Sequence, residues 1–176
     1  MTVETAQLRP GYDISRVIKG GWQLAGDHGP VDRTNAIRDM EAFLDAGITS
    51  FDCADIYVGV EEMIGEFIQD VRRRRGAEIA DRVQVHTNLV PDLGLLENIK
   101  PSDVEAIIDR SLKRLQVEQL HLVQFYWWDI TLGDRLAGLD ALKTCQQKGK
   151  IAHLGTTNWD VADTKPFLDA GFEIVS

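Results

Sequence analysis

The feature that most constrains this chain is an alternation of two kinds of segment. Short runs rich in β-branched and aromatic residues recur at 15–18, 48–51, 83–87, 120–127, 151–156 and 172–175. Longer segments with helical spacing lie between them. Asp32 or Thr34 caps a helix running to Ala46, with Ile37, Met40, Phe43 and Leu44 on one face and Gly47 at its stop. The stretch 61–75 sets Ile64, Phe67, Ile68 and Val71 on one stripe. Pro101-Ser102-Asp103 opens a third helix with Val104, Ile107, Ile108, Leu112 and Leu115 in register. Segments 139–148 and 161–170, closed by Gly149 and Gly171, make the fourth and fifth. Strands that alternate with helices form parallel βαβ units, because a parallel pair needs a crossover and the helix provides it.

Two architectures answer to that pattern, a doubly wound open sheet and a (β/α)8 barrel. The first strand–helix junction, Lys19-Gly20-Gly21-Trp22, lacks the GxGxxG spacing of a dinucleotide fingerprint, and no GxxxxGK[ST] loop occurs. The barrel is favoured. A complete barrel takes ~250 residues, whereas this chain has 176 and stops in the middle or at the end of its last strand. The expectation is an α/β fold, an incomplete (β/α)8 TIM barrel of about six parallel βα units. It forms one C-terminally truncated domain over residues 1–176. The unpaired edges of such a sheet template further pairing, so self-association or a completing chain is expected.

Charge narrows the partners. Lys and Arg total 19 against 28 Asp and Glu, a formal charge of −9. That opposes a nucleic-acid surface. The one basic run, Arg72 to Arg75, closes a helix, where cations suit the dipole and solvent covers them. No apolar run approaches the ~20 residues of a membrane helix, and the first ten residues have no apolar signal core. A soluble cytoplasmic protein without nucleic-acid or membrane partners is expected. Cys53 and Cys145 form no CxxC pattern and read as buried free thiols. His28, His86, His121 and His153 show no metal-ligand spacing, so no metal is expected, and His86 and His153 read as satisfied core imidazoles.

Active sites of such barrels stand at the strand C-termini. Those positions carry Gly21 and Trp22, then Asp52, Asp55 and Tyr57, then Asn88, then Tyr126 and Trp128, then Thr157 and Asn158. Acids and tyrosines ringed by tryptophans describe a small polar site with aromatic walls. A tyrosine acts as a general acid when a cation lowers its pKa, but no lysine or arginine stands at these strand ends, and Tyr57 could equally serve a loop hydrogen bond.

Here the sequence resembles a known family. Phe51-Asp52-Cys53-Ala54-Asp55-Ile56-Tyr57 followed by Glu61-Glu62-Met63-Ile64-Gly65 resembles the aldo-keto reductase signature around its aspartate and tyrosine. Leu122 to Asp129 is similar to that family's fourth strand. Gly149-Lys150-Ile151 with His153 to Trp159 is similar to its fifth, and Gly20-Gly21-Trp22-Gln23-Leu24 to its first. The resemblance implies a (β/α)8 barrel that uses NADPH or NADH to reduce a small-molecule carbonyl. It implies Tyr57 as proton donor and Asp52 as partner of a lysine that lowers the tyrosine pKa. Thr157 and Asn158 match positions that hold the nicotinamide carboxamide, and Gly21 and Trp22 match the loop beside nicotinamide and substrate.

Two positions depart from the family pattern. Its lysine reads Asn88 and its histidine reads Tyr126. Without the lysine's charge, Tyr57 should stay near a pKa of ~10, and Asp52 should bind water, titrate upward or find another partner. The phosphate-gripping segments of the family belong to its C-terminal part, so poor NADPH binding is expected. Three readings follow: a weakened NAD(P)H-dependent carbonyl oxidoreductase, a non-catalytic binding or regulatory relative on the same barrel, or an inactive truncated product.

Overall fold

A computed structural model describes residues 3–26 and 29–176; His28 lies outside the described residues. The chain opens with a feature absent from the expectation, an antiparallel hairpin of β1 (Thr5–Arg9) and β2 (Tyr12–Ser15). Gly11, at φ 82°, takes the left-handed turn position that a side chain would disfavour. The strand expected at 15–18 is divided: Ser15 ends the hairpin, and β3 (Ile18–Gly20) begins the main sheet.

That sheet runs β3–β4–β5–β6–β7 with every pair parallel. Its other strands are β4 (Ser50–Ala54), β5 (Gln84–Leu89), β6 (Leu120–Phe125) and β7 (Ile151–Thr156). Neighbours in space are neighbours in sequence, the order of a barrel wall rather than of a doubly wound sheet. β6 stops at Phe125, two residues before the expected end. The expected sixth strand contributes one parallel bridge, Leu154 to Ile174, beside β7.

The crossovers are α1 (Arg33–Asp45), α2 (Val60–Arg75), the single turn α3 (Ala77–Ala80), α4 (Pro101–Leu115), α5 (Arg135–Gln147) and α6 (Val161–Asp169). Asp32 caps α1 by accepting from the Asn35 amide at 3.0 Å. α5 starts four residues before the expected Leu139, because Asp134 caps it by accepting from the Leu136 and Ala137 amides. Of the cations closing α2, Arg72, Arg73 and Arg74 are exposed as expected and Arg75 is half-buried, and each has an acidic partner: Arg72 with Asp81, Arg73 with Asp70, Arg74 with Glu41 and Arg75 with Asp45. No helix among the described residues is long and apolar enough to cross a membrane.

The register explains where the core sits. Strand side chains alternate between faces. Phe51, Cys53, Val85, Leu89, Val123, Phe125 and Leu154 face the helices and join their apolar stripes in one buried cluster. The opposite face carries two rows. Gly20, Asp52, His86, Leu122 and His153 align in the lower row, and Ala54, Asn88, Gln124 and Gly155 in the upper. The hairpin closes the lower row: Tyr12 and Ile14 bury with Leu122, the Tyr12 hydroxyl lies 2.9 Å from His86 Nε2, and its ring meets that of His153 at 4.0 Å. His86 is thus a satisfied core imidazole, held at a pKa of about 4 by burial and its histidine neighbours. His153 is not, because its buried Nδ1 has no partner. Cys53 and Cys145 are buried free thiols.

Candidate active site

Ala54, Asn88 and Gln124 of the upper row, Asp52 of the lower row and the turns above them form a cavity of about 520 Å³ at the strand C-termini. Asp52, Tyr57, Asn88, Tyr126, Thr157 and Asn158 line it, with Trp22 and Trp128 at its mouth. Seven of the eight positions singled out by the family resemblance therefore meet in one place. The eighth, Gly21, lies buried beside it. A Cβ there would stand 2.7 Å from the Asp52 carbonyl oxygen and 2.9 Å from Val60 Cγ1, so only glycine lets this loop lie against β4.

Each lining side chain is positioned by backbone geometry. Tyr57 sits on two tight turns: its amide donates to Ala54 O at 3.0 Å, and its carbonyl accepts from the Val60 amide at 3.1 Å. The ladder continues past the strand ends, with the Tyr126 amide donating to Leu89 O at 3.0 Å and the Thr157 amide to Phe125 O at 3.1 Å. Asn158 takes φ 61°, a left-handed conformation that asparagine tolerates better than most residues. The indole N–H of Trp128 donates to Pro91 O at 2.8 Å, and its ring meets Tyr126 edge-on at 4.9 Å.

Asp55, a strand-end acid by sequence, does not join the cavity. Its carboxylate accepts from the Val90 amide at 2.9 Å and from Arg110 at 3.0 Å, which turns it towards α4. Beside it the wholly buried Glu61 accepts from the Thr87 hydroxyl at 2.8 Å and from Arg114, which also donates to Asp55 O. Arg110 and Arg114 lock the β4–α2 junction that carries Tyr57. Sequence reasoning missed this lock. The two arginines at i and i+4 on the face of α4 were its only local signal.

The electrostatics of the cavity follow from the absence of a cation in its lining. Burial pushes Asp52 up to about 6, and no described side chain hydrogen-bonds or ion-pairs with it. Tyr57 is also raised above its ordinary value, first by burial and then by the charges of Asp52 and Cys53. The upward titration of Asp52 agrees with the sequence expectation, whereas the near-ordinary Tyr57 does not, because burial was not visible in the sequence. Asn88 Oδ1 is buried without a partner. A larger groove of about 620 Å³, between α6 and residues 174–176, contains Asp160 and Lys165 but none of the candidate tyrosines or Asp52.

A parallel βα wall with a polar cavity at its strand C-termini is the arrangement of a (β/α)8 barrel. Within that class, the chain belongs to the aldo/keto reductase family, whose sequence model matches residues 16–176. It is 28% identical over 163 residues to aldo-keto reductase YhdN of Bacillus subtilis, covering 89% of this chain and 47% of that protein. It is 30% identical over 167 residues to the uncharacterized oxidoreductase YrpG of the same organism, covering 86% and 48%. The chain thus spans about half the length of the curated relatives it matches. Among solved structures, it is similar to a Bombyx mori aldo-keto reductase in complex with NADP, with a TM-score of 0.80 at 16% identity, over 99% of this chain and 56% of that one. The thermostable aldo-keto reductase Tm1743, in complex with the inhibitor epalrestat, gives 0.81 at 22% identity, over 98% and 61%. These two likenesses show the fold.

Proposed function

We propose that this chain carries the carbonyl- and nicotinamide-facing part of an NAD(P)H-dependent oxidoreductase site with impaired proton transfer. Its aldehyde reduction by itself is then at or near background. One observation carries the reading: four strand ends bring Asp52, Tyr57, Asn88, Tyr126, Thr157 and Asn158 into a single cavity. The residues present fit the nicotinamide end of the cofactor. The Thr157 hydroxyl and Asn158 amide supply the donors and acceptors that a carboxamide needs, and a similar family structure is described with NADP. No lysine or arginine in the lining grips a phosphate. When bound, NADPH or NADH supplies a hydride. Tyr57 holds the proton for the carbonyl oxygen, Tyr126 can donate an orienting hydrogen bond, and Trp22 and Trp128 screen the mouth from water. With a pKa raised above its ordinary value, Tyr57 is poorly matched to neutral pH, and general acid catalysis worth ~100- to 10,000-fold is largely forfeited.

Titration with NADPH, read by tryptophan fluorescence, tests the first half. Quenching should saturate only at roughly millimolar cofactor, near −4 kcal/mol. An absence of quenching removes the nicotinamide reading, and robust aldehyde turnover by the purified chain removes the impairment. A non-catalytic binding role is the second reading, favoured by the unpartnered Asn88 Oδ1. A cytoplasmic setting suits the two free buried thiols.

The partner reading rests on the sheet edges. Among the described residues β3 pairs only with β4, and one bridge at Ile174 flanks β7. We expect the domain to associate, with itself or with a completing chain, through these edges. Sedimentation at micromolar concentration checks this; a sharply monomeric species speaks against it.

A further inference from the structure

The cavity holds two unmet acceptors and no cation. The half-buried Asp52 carboxylate has no hydrogen bond or ion pair from any described residue. Asn88, on the same face of the neighbouring strand, lines the same cavity with its Oδ1 buried and unpartnered. A buried acceptor left unmet is costly unless something outside the chain donates to it.

The nearby cations are committed elsewhere. Lys19 on β3 donates to the Gly20 carbonyl at 2.5 Å and lies 5.5 Å from the Phe43 ring. Arg110 and Arg114 hold Asp55 and Glu61. The titratable groups around Asp52 are Tyr57 and Cys53 from its own segment, His86 across on β5 and Tyr126 after β6. His86 is neutral near pH 7, since burial holds it at about 4. None of these brings a positive charge. The rings of Tyr126 and Trp128 wall the mouth, and aromatic faces attract cations.

We propose that this cavity binds a small primary ammonium ligand. Its charge lies against the Asp52 carboxylate, one N–H donates to Asn88 Oδ1, and its organic part runs along Tyr126 and Trp128. A primary rather than a quaternary ammonium is required, because Oδ1 needs an N–H donor. The volume of about 520 Å³ suits a small molecule. The inference deepens the reading of this cavity as a ligand site and rests on it for that alone; it does not require nicotinamide binding.

Calorimetry with butylammonium chloride tests it, with 1-butanol and tetramethylammonium as controls. Saturable binding of butylammonium at pH 8 is expected in the range of roughly millimolar. Losing a charge-assisted contact weakens such binding ~10- to 100-fold, which is the expected effect of Asp52→Asn. Asn88→Lys should abolish it, because the new side chain brings its own ammonium to the same place. In the unaltered protein, affinity should fall up to about tenfold per pH unit below pH 6, as Asp52 takes up its proton. This last arm stands even if a variant fails to fold. Equal affinity in Asp52→Asn, 1-butanol binding as tightly as butylammonium, or pH-independent binding between pH 5 and 8 each overturns the proposal. The NADPH titration is separate: butylammonium binding without NADPH binding supports this inference while removing the nicotinamide reading, and NADPH binding without butylammonium binding does the reverse.

Discussion

Asn88→Lys is expected to raise NADPH-dependent aldehyde turnover about 100-fold or more above the parent chain, the lower end of what a well-matched general acid contributes. Asn88 shares an inner face with Asp52, one step diagonally across the β4–β5 pair. A lysine side chain there can reach the carboxylate, as long side chains commonly do across such diagonals. Its ammonium would pair with Asp52 and face Tyr57. The carboxylate would then fall from its burial-raised value, and a nearby positive charge would favour the tyrosinate and bring Tyr57 down. Steady-state rates measured from pH 6 to 10 check this, with fluorescence quenching by NADPH recorded in parallel. Turnover that stays at background while NADPH still quenches would show that the missing charge is not what limits the site. Adding Asp52→Asn should remove most of the gain, because the buried ammonium loses its counter-charge.

How far the sequence discloses this molecule depends on the range of the interaction concerned. The βα alternation and five of the helices are legible because each writes a local hydrophobic period. The candidate site is legible because barrel chemistry collects at strand ends, which the same periods locate; the roles proposed for Asp52, Tyr57, Thr157 and Asn158 came from resemblance rather than spacing. The hairpin was missed although Pro10-Gly11 marks a turn between the alternating pairs Ala6, Leu8 and Tyr12, Ile14. Its function as the lower closure of the wall depends on Tyr12 meeting His86 and His153, which are distant in sequence. The same distance hid the Asp55–Arg110 and Glu61–Arg114 pairs. Asp55 therefore looked like a site acid when it is a structural one. The true ends of β6 and α5 were set by backbone partners and a cap that hydrophobic spacing does not report.

Asp52→Asn is expected to stabilise the fold by about 2 kcal/mol at pH 8. Burial holds the folded-state carboxyl at about 6, against ~3.9 when exposed. The folded chain therefore holds this proton more tightly than the unfolded chain. The stability linked to that proton is fully present below pH ~4 and is lost as pH rises through 6. A tenfold difference in proton affinity corresponds to ~1.4 kcal/mol. The roughly hundredfold difference here is reduced to about 2 kcal/mol because the half-buried group is partly screened by solvent. Asparagine has the shape of the protonated acid and never ionises, so it removes the cost above pH 6 and changes little at pH 4. Asp55, also at about 6, and His86, at about 4, titrate alike in both proteins and cancel from the difference. Urea denaturation of both proteins at pH 4 and pH 8 measures it. A variant less stable than the parent at pH 8 would mean that Asp52 has a stabilising partner, contrary to the uncompensated carboxylate on which the ammonium site also depends.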